Sequence, residues 1–330
     1  MLVDGIYGRV REFGYANARL RAERTKLLDK DTLKSLCEVE STDAMLEILG
    51  GTVYGQHVDA WRARHRGVML ISKAVMERFT RKVAQIEEML SPRKRSLLYA
   101  ATGRFDVYNL KLLFLEVIKG KDCTGMYIEA GAVSGRRLAL MRNVRDIGLL
   151  KRVTREIGYD IGAGSDKYED IVQDVERSYY ERLRALKSEC ADEPETQRYI
   201  EKVIDYRNFD LAIRAVRGMI SPERAEPMGG GLVPTDAIKK GMKLGVEEVV
   251  ELFGIREEYG KCEGNLSWLE EMYDRKLLKW VVRSGSANPF SVIGIVGFVR
   301  LLDIEARNVR SIAVAKSVFG PDEIKGKIIW

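Results

Sequence analysis

A chain of 330 residues, 45% apolar and 32% charged, can bury a large core and is neither disordered nor fibrous in composition. Its longest apolar run, the eight residues Val292 to Val299, falls far short of the roughly 20 needed to span a bilayer. The net charge of +6, with an isoelectric point near 9.0, leaves four surface readings open: solvated helix faces, an acidic protein partner, anionic head groups or nucleic acid.

Few segments alternate with period two, so an all-α fold is expected. Asp4, Gly5 and Arg9 stand where a secretory signal would need apolar residues. The four cysteines (Cys37, Cys123, Cys190, Cys262) lack paired spacing and fit a reducing compartment, so the reading is a soluble intracellular protein.

Phe13 to Leu28 is predicted as the first helix, followed by short helices over Leu33–Val39 and Ala44–Leu49, the latter capped by Ser41-Thr42-Asp43. Gly50, Gly51 and Gly55 bracket Tyr54 as a turn. One long helix is expected from Val58 to Leu90, stopped by Ser91-Pro92, and another from Arg95 to Lys119. A glycine-punctuated loop around Gly125 and Gly131 then leads through short helices to Tyr159. Long helices follow over Asp166–Cys190 and from Glu195, and Pro222, Pro227, Gly229 to Gly231 and Pro234 read as a linker. The last third runs through short helices to Tyr259, a helix over Leu266–Val282 and a final one over Phe290–Phe319.

One pattern recurs along this order. Asp205 and Asn208 lie three apart within the apolar stripe of the helix Ile200–Arg217, neighbours on one face. Asp106 with Asn109 stands 99 residues earlier and Glu305 with Asn308 stands 100 residues later. A shift of 100 places also sets Gly131 on Gly231 and Tyr159 on Tyr259, with Tyr54 as the counterpart in the first third. The chain is therefore read as three similar helical domains, 1–120, 121–221 and 222–330. Each has short helices, one long helix and one motif helix.

The motif pairs are read as structural. A buried asparagine needs hydrogen-bond partners, and a carboxylate one turn away can bond a neighbouring helix end. Tyr54, Tyr159 and Tyr259 are read as core anchors with bonded hydroxyls. There is no Gly-x-x-x-x-Gly-Lys-Ser/Thr loop and no Gly-x-Ser-x-Gly elbow, and Gly162-x-Gly164 lacks a third glycine and a preceding strand. With only His57 and His65, no catalytic residue, cofactor site or metal site is assigned. A candidate interaction surface remains in the basic run Arg136, Arg137, Arg142, Arg145, Lys151 and Arg152, and a second belt holds Arg62, Arg64, Arg66, Lys73, Arg78, Arg81 and Lys82.

Tyr15-Ala16-Asn17-Ala18-Arg19-Leu20-Arg21 and the segment from Glu40-Ser41 to Tyr54 resemble the C subunit of archaeal and bacterial A/V-type ATP synthases, a relative of the d subunit of eukaryotic V-ATPases. So do Asp106-x-x-Asn109-Leu110-Lys111, Asn288-Pro289-Phe290 and Glu305-x-x-Asn308-Val309-Arg310, with Lys316 and Ile324. This resemblance spans essentially the whole chain and departs at Ala315, where the family often has glycine, and in the long basic helix after Tyr54. It implies a funnel of three all-α domains around a pseudo-threefold axis. Such a protein is a non-catalytic rotor component on the cytoplasmic face of the membrane. Its partners would be the membrane rotor ring and the central stalk, with anionic lipid head groups within reach. The alternative is a basic helical scaffold for nucleic acid or an acidic partner. Arg136 to Arg155 contains none of the interleaved aromatics that nucleic-acid binding favours, and no nucleic acid is expected.

Overall fold

Apolar residues at three- and four-residue spacing, cut by glycine, proline and polar caps, fold into helices throughout. In a computed structural model, which describes residues 13–326 apart from 163, 224, 262–265 and 317, every regular element is helical. Asp4, Gly5, Arg9 and Cys262 lie outside the described residues. The first third holds α1 (Tyr15–Arg24), α2 (Lys30–Glu38), α3 (Thr42–Gly50), α4 (Gly55–Arg62), α5 (Gly67–Met89) and α6 (Pro92–Lys119). Next come α7 (Gly135–Arg142), α8 (Ile147–Glu156), α9 (Tyr168–Glu189) and α10 (Pro194–Val216). The last third holds α11 (Thr235–Leu244), α12 (Val246–Leu252), α13 (Arg256–Lys261), α14 (Leu266–Ala287), α15 (Ile293–Ala315) and α16 (Pro321–Gly326).

Local chemistry sets the boundaries. Asp29, Ser41 and Asp146 cap α2, α3 and α8 by accepting the backbone N–H groups of Thr32, Ala44 and Leu149. Pro92 and Pro194 open α6 and α10, where a missing N–H breaks no helical bond. Gly120 ends α6 in the left-handed region at φ 63°.

The long helix expected over 58–90 is in fact two. Arg66 is extended and Gly67 takes φ +52°, which breaks the chain between α4 and α5. The apolar spacing carries across the break because α4 folds back onto α5, where the Trp61 indole N–H donates to Glu77 Oε2 at 2.8 Å. Periodicity alone cannot register such a fold-back.

The three motif helices α6, α10 and α15 meet one another pairwise. Long helices lie alongside them: α5 on α15, α9 on α6, and α14 on both α10 and α15. The apolar clusters follow a cyclic order. The end of α6 packs with α7 and α8, and the end of α10 packs with α11 and α12 around Phe209, Ile213, Ile238 and Val249. The end of α15 packs with the first short helices: Val309, Ile312 and Ala313 join Leu36, Met45, Leu49 and Tyr54. Lys316 Nζ reaches the carbonyl oxygens of Cys37 and Val39 beyond it.

Ile312 is completely buried in that last cluster, so Ile312→Ala should destabilise the protein by about 2–5 kcal/mol. Hydrogen exchange should then speed up in α2–α5 before α7 and α8. Loss of protection confined to α15 itself would contradict the cyclic closure.

Candidate functional site

Asp106 and Asn109 sit on consecutive turns of α6 and are completely buried. Asp106 Oδ1 accepts the Val133 N–H at 2.7 Å, and the Tyr159 hydroxyl stands 3.4 Å from Oδ2. Asn109 holds the same loop from both sides. Its Nδ2 donates to the carbonyl oxygens of Ile128 and Val133 at 2.7 and 2.8 Å, and its Oδ1 accepts the Ile128 N–H at 2.9 Å. Together they form a clasp on a loop 19 to 27 residues further along.

The second clasp repeats this chemistry. Asp205 accepts the N–H groups of Leu232 and Val233, and Asn208 exchanges two 2.8 Å bonds with the backbone of Met228. Gly131 and Gly231 pass so near the carboxylates that a Cβ on either would overlap Asp106 or Asp205 Oδ1.

The third clasp closes across the chain ends. Glu305 Oε2 accepts the Leu28 N–H at 2.5 Å, while Oε1 accepts from the Tyr54 hydroxyl and from Arg78 Nη1, each at 2.6 Å. Asn308 is buried one turn on. Leu28, Val133 and Val233 each precede a motif tyrosine by 26 residues, so the three carboxylates hold equivalent backbone positions.

The tyrosines are less alike. Tyr54 and Tyr159 are buried and reach their carboxylates. Tyr259 is half-buried, 3.5 Å from Arg217 Nη2, while Asp205 is satisfied by backbone N–H groups. Two residues that sequence reasoning left outside the motif complete the first and third clasps. The Arg78 guanidinium lies 4.8 Å over the Tyr54 ring, and that of Arg182 lies 4.9 Å over Tyr159. Their spacing from each tyrosine, 24 and 23 residues, was the available signal. Arg78 belonged to the second basic belt by sequence, yet it is buried in an ion pair with Glu305.

Burial shifts the titration of the first two clasp carboxylates. Desolvation raises Asp106 to about 7, against the opposing pull of the Val133 N–H and Arg182. Asp205 is also raised by burial.

A second cluster lies where the motif helices meet. Arg104 of α6 pairs with Asp303 of α15. Arg300 and Arg307 of α15 bond the two oxygens of Asp274 on α14 at 2.8 and 2.7 Å, and approach Asp303 at 3.6 and 3.4 Å. Burial works against ionisation of Asp274, but Arg300 and Arg307 hold it down to about 2.

The candidate basic surface divides. Arg136, Arg137, Arg145 and Arg152 are exposed. Arg142 is half-buried over the Tyr127 ring and donates to Thr124 Oγ1 at 2.6 Å. Lys151 is not surface at all. It is 6% exposed, and its ammonium is closed on the carbonyl oxygens of Gly162 and Ser165 and on Asp166. Among the described residues no group of three or more His, Cys, Asp or Glu side chains could hold a metal ion.

Residues 16–327 match the family model described as ATP synthase (C/AC39) subunit. Among curated relatives, a protein of Haloquadratum walsbyi named as the C subunit of an A-type ATP synthase is 23% identical, covering 94% of this chain and 96% of its own length. Proteins of the same name from Methanocaldococcus jannaschii and Thermoplasma volcanium are 21% and 24% identical. They cover 96% and 93% of this chain, and 86% and 95% of their own.

The clasps make the protein's stability depend on pH. The unfolded Asp106 carboxyl titrates near 3.9 and the folded one near 7, so the folded state keeps the extra proton between those values. Stability should therefore fall as pH rises from about 4 to about 7, by at most about 1.4 kcal/mol per pH unit from this group. Denaturant unfolding across that range should show a shallower fall in Asp106→Asn, with Asp205, Glu87 and Glu193, also raised by burial, contributing to what remains; equal slopes would refute the assignment. Asn208→Leu should lower stability by about 1–3 kcal/mol, since both Met228 backbone groups lose their partners. A neutral result in the same assay would mean that water replaces the amide.

Proposed function

The chain belongs to the ATP synthase (C/AC39) subunit family, and from that premise we propose that it is the rotor connector between the membrane ring and the central stalk of an A-type ATP synthase. It is a non-catalytic part. Ion flow turns the ring, the connector carries the torque, and the stalk drives conformational change in the catalytic head. ATP-driven ion pumping runs the same path in reverse. The three helical domains, 1–120, 121–221 and 222–330, form a funnel around a pseudo-threefold axis on the cytoplasmic face of the membrane. The stalk foot enters its cavity.

The observation that carries this reading is the closed set of clasps. Torque transfer needs a body that does not shear between its parts. Three motif helices in mutual contact, each pinned through buried hydrogen bonds to the next group of short helices, supply that stiffness. No described helix is long and apolar enough to cross a membrane, which agrees with a peripheral position. The exposed residues Arg136, Arg137, Arg145 and Arg152 face anionic head groups or ring loops, where each charge gains about 1 kcal/mol.

Reconstitution tests the role. The complex assembled without this chain should keep ATP hydrolysis in its head and lose ion-driven synthesis, and adding the chain back should restore it. Synthesis without the chain would end the reading. Reversing Arg136, Arg137, Arg145 and Arg152 to Glu should weaken docking to ring-containing membranes at low ionic strength and leave stalk binding intact. Undiminished docking would reduce these residues to a solvated face.

A further inference from the structure

Positions 104, 203 and 303 occupy one register on the three motif helices, each two residues before its motif carboxylate. A threefold body would place like residues there. This chain has Arg104, Val203 and Asp303 instead. Arg300 and Arg307, flanking Asp303 on α15, converge on Asp274.

Three guanidinium groups thus face two carboxylates. Arg104 and Arg300 each keep an Nε that is buried and without a hydrogen-bond partner, and the buried Nε of Arg307 has only the 3.4 Å approach of Asp303 Oδ2. The Arg300 residue is only 4% exposed. An excess positive charge in so dry a place is unfavourable unless something balances it. The cluster is also accessible. The side chains of Arg104 and Arg307 keep 28% and 41% of their surface, so the excess charge reaches an opening while the Nε atoms stay buried behind it. A sixth charged group would have to come from outside, and it would have to be an anion with planar, paired acceptors to suit guanidinium forks.

We infer that Arg104, Arg300 and Arg307 form a socket for one carboxylate, an Asp or Glu side chain presented by the protein that docks where the motif helices meet. Under the proposed function, on which this identification of the partner rests, that protein is the central stalk. The resident Asp274 and Asp303 hold the arginines in place before docking. The incoming carboxylate neutralises the surplus and fixes the angular position of the partner, because the socket breaks the likeness of the three motif helices.

The test uses the full chain and the stalk proteins co-expressed with it. By calorimetry at low ionic strength, Arg307→Gln should bind the stalk at least about tenfold more weakly, a loss of about 1.4 kcal/mol. Arg307→Lys, which keeps the charge and loses the fork, should recover only part of that affinity. The melting temperature of Arg307→Gln should hold or rise, since the substitution removes surplus charge, whereas a merely structural arginine would lower it and leave binding alone. A deca-glutamate peptide supplies an arm independent of the stalk. It should raise the melting temperature of the wild type and of Arg136→Glu/Arg137→Glu, but not that of Arg307→Gln. Stalk affinity unchanged in Arg307→Gln overturns the socket even if the stalk binds well. A wild type that ignores the stalk yet responds to deca-glutamate through Arg307 overturns the connector reading and keeps the socket. No response to either removes both.

Discussion

The structure depends on one kind of contact: a buried carboxylate on a motif helix that accepts backbone N–H groups from a distant loop. A loop of this sort has no sheet or helix to satisfy its amides, and leaving them dry costs about 1–3 kcal/mol each. Asp106, Asp205 and Glu305 supply the missing acceptors at Val133, at Leu232 and Val233, and at Leu28. The loops fix where α7, α11 and α2 begin, and the apolar clusters condense around those starts. Near-zero exposure of the motif residues is what gives each bond its weight.

The three clasps reach that end by different means. Asp106 lies among tyrosines, with Arg182 stacked over the rings rather than paired with it, and burial pushes it to about 7. Asp205 accepts from two successive N–H groups. Glu305 is paired directly with Arg78 and so carries its charge into the interior. The longer side chain suits its task. It must reach Leu28 and Tyr54 from the opposite end of the chain, where no covalent linker brings the partners together.

Much of this was legible beforehand. The all-α class, the motif helices and the recurrent Asp/Glu-x-x-Asn pairs stand in the sequence as period and spacing. The alignment of Gly131 with Gly231 was also visible, although its reason, the approach to Asp106 and Asp205, was not. What stayed hidden has two physical sources. A continuous apolar period conceals a fold-back, as at Arg66 and Gly67. Charge in a sequence carries no depth: Arg78 and Lys151 read as surface but are closed in ion pairs and carbonyl cages. Tyr259 shows the opposite error, a repeat position that keeps its residue and loses its contact.

The closure of the third clasp also bears on how such a chain could have arisen. Each motif helix serves the short helices that follow it, so the unit that is folded is offset from the unit that is repeated. A lone hundred-residue copy would end with an unsatisfied carboxylate and begin with an unsatisfied loop, each complementary to the other. Copies of that kind join head to tail, and such a contact either propagates as a fibre or closes as a ring. Within this chain the matching contact is made between its own two ends: Glu305 holds Leu28 across 277 residues, where the first two clasps span 27. A chain built by joining three such copies would need no linker at that seam.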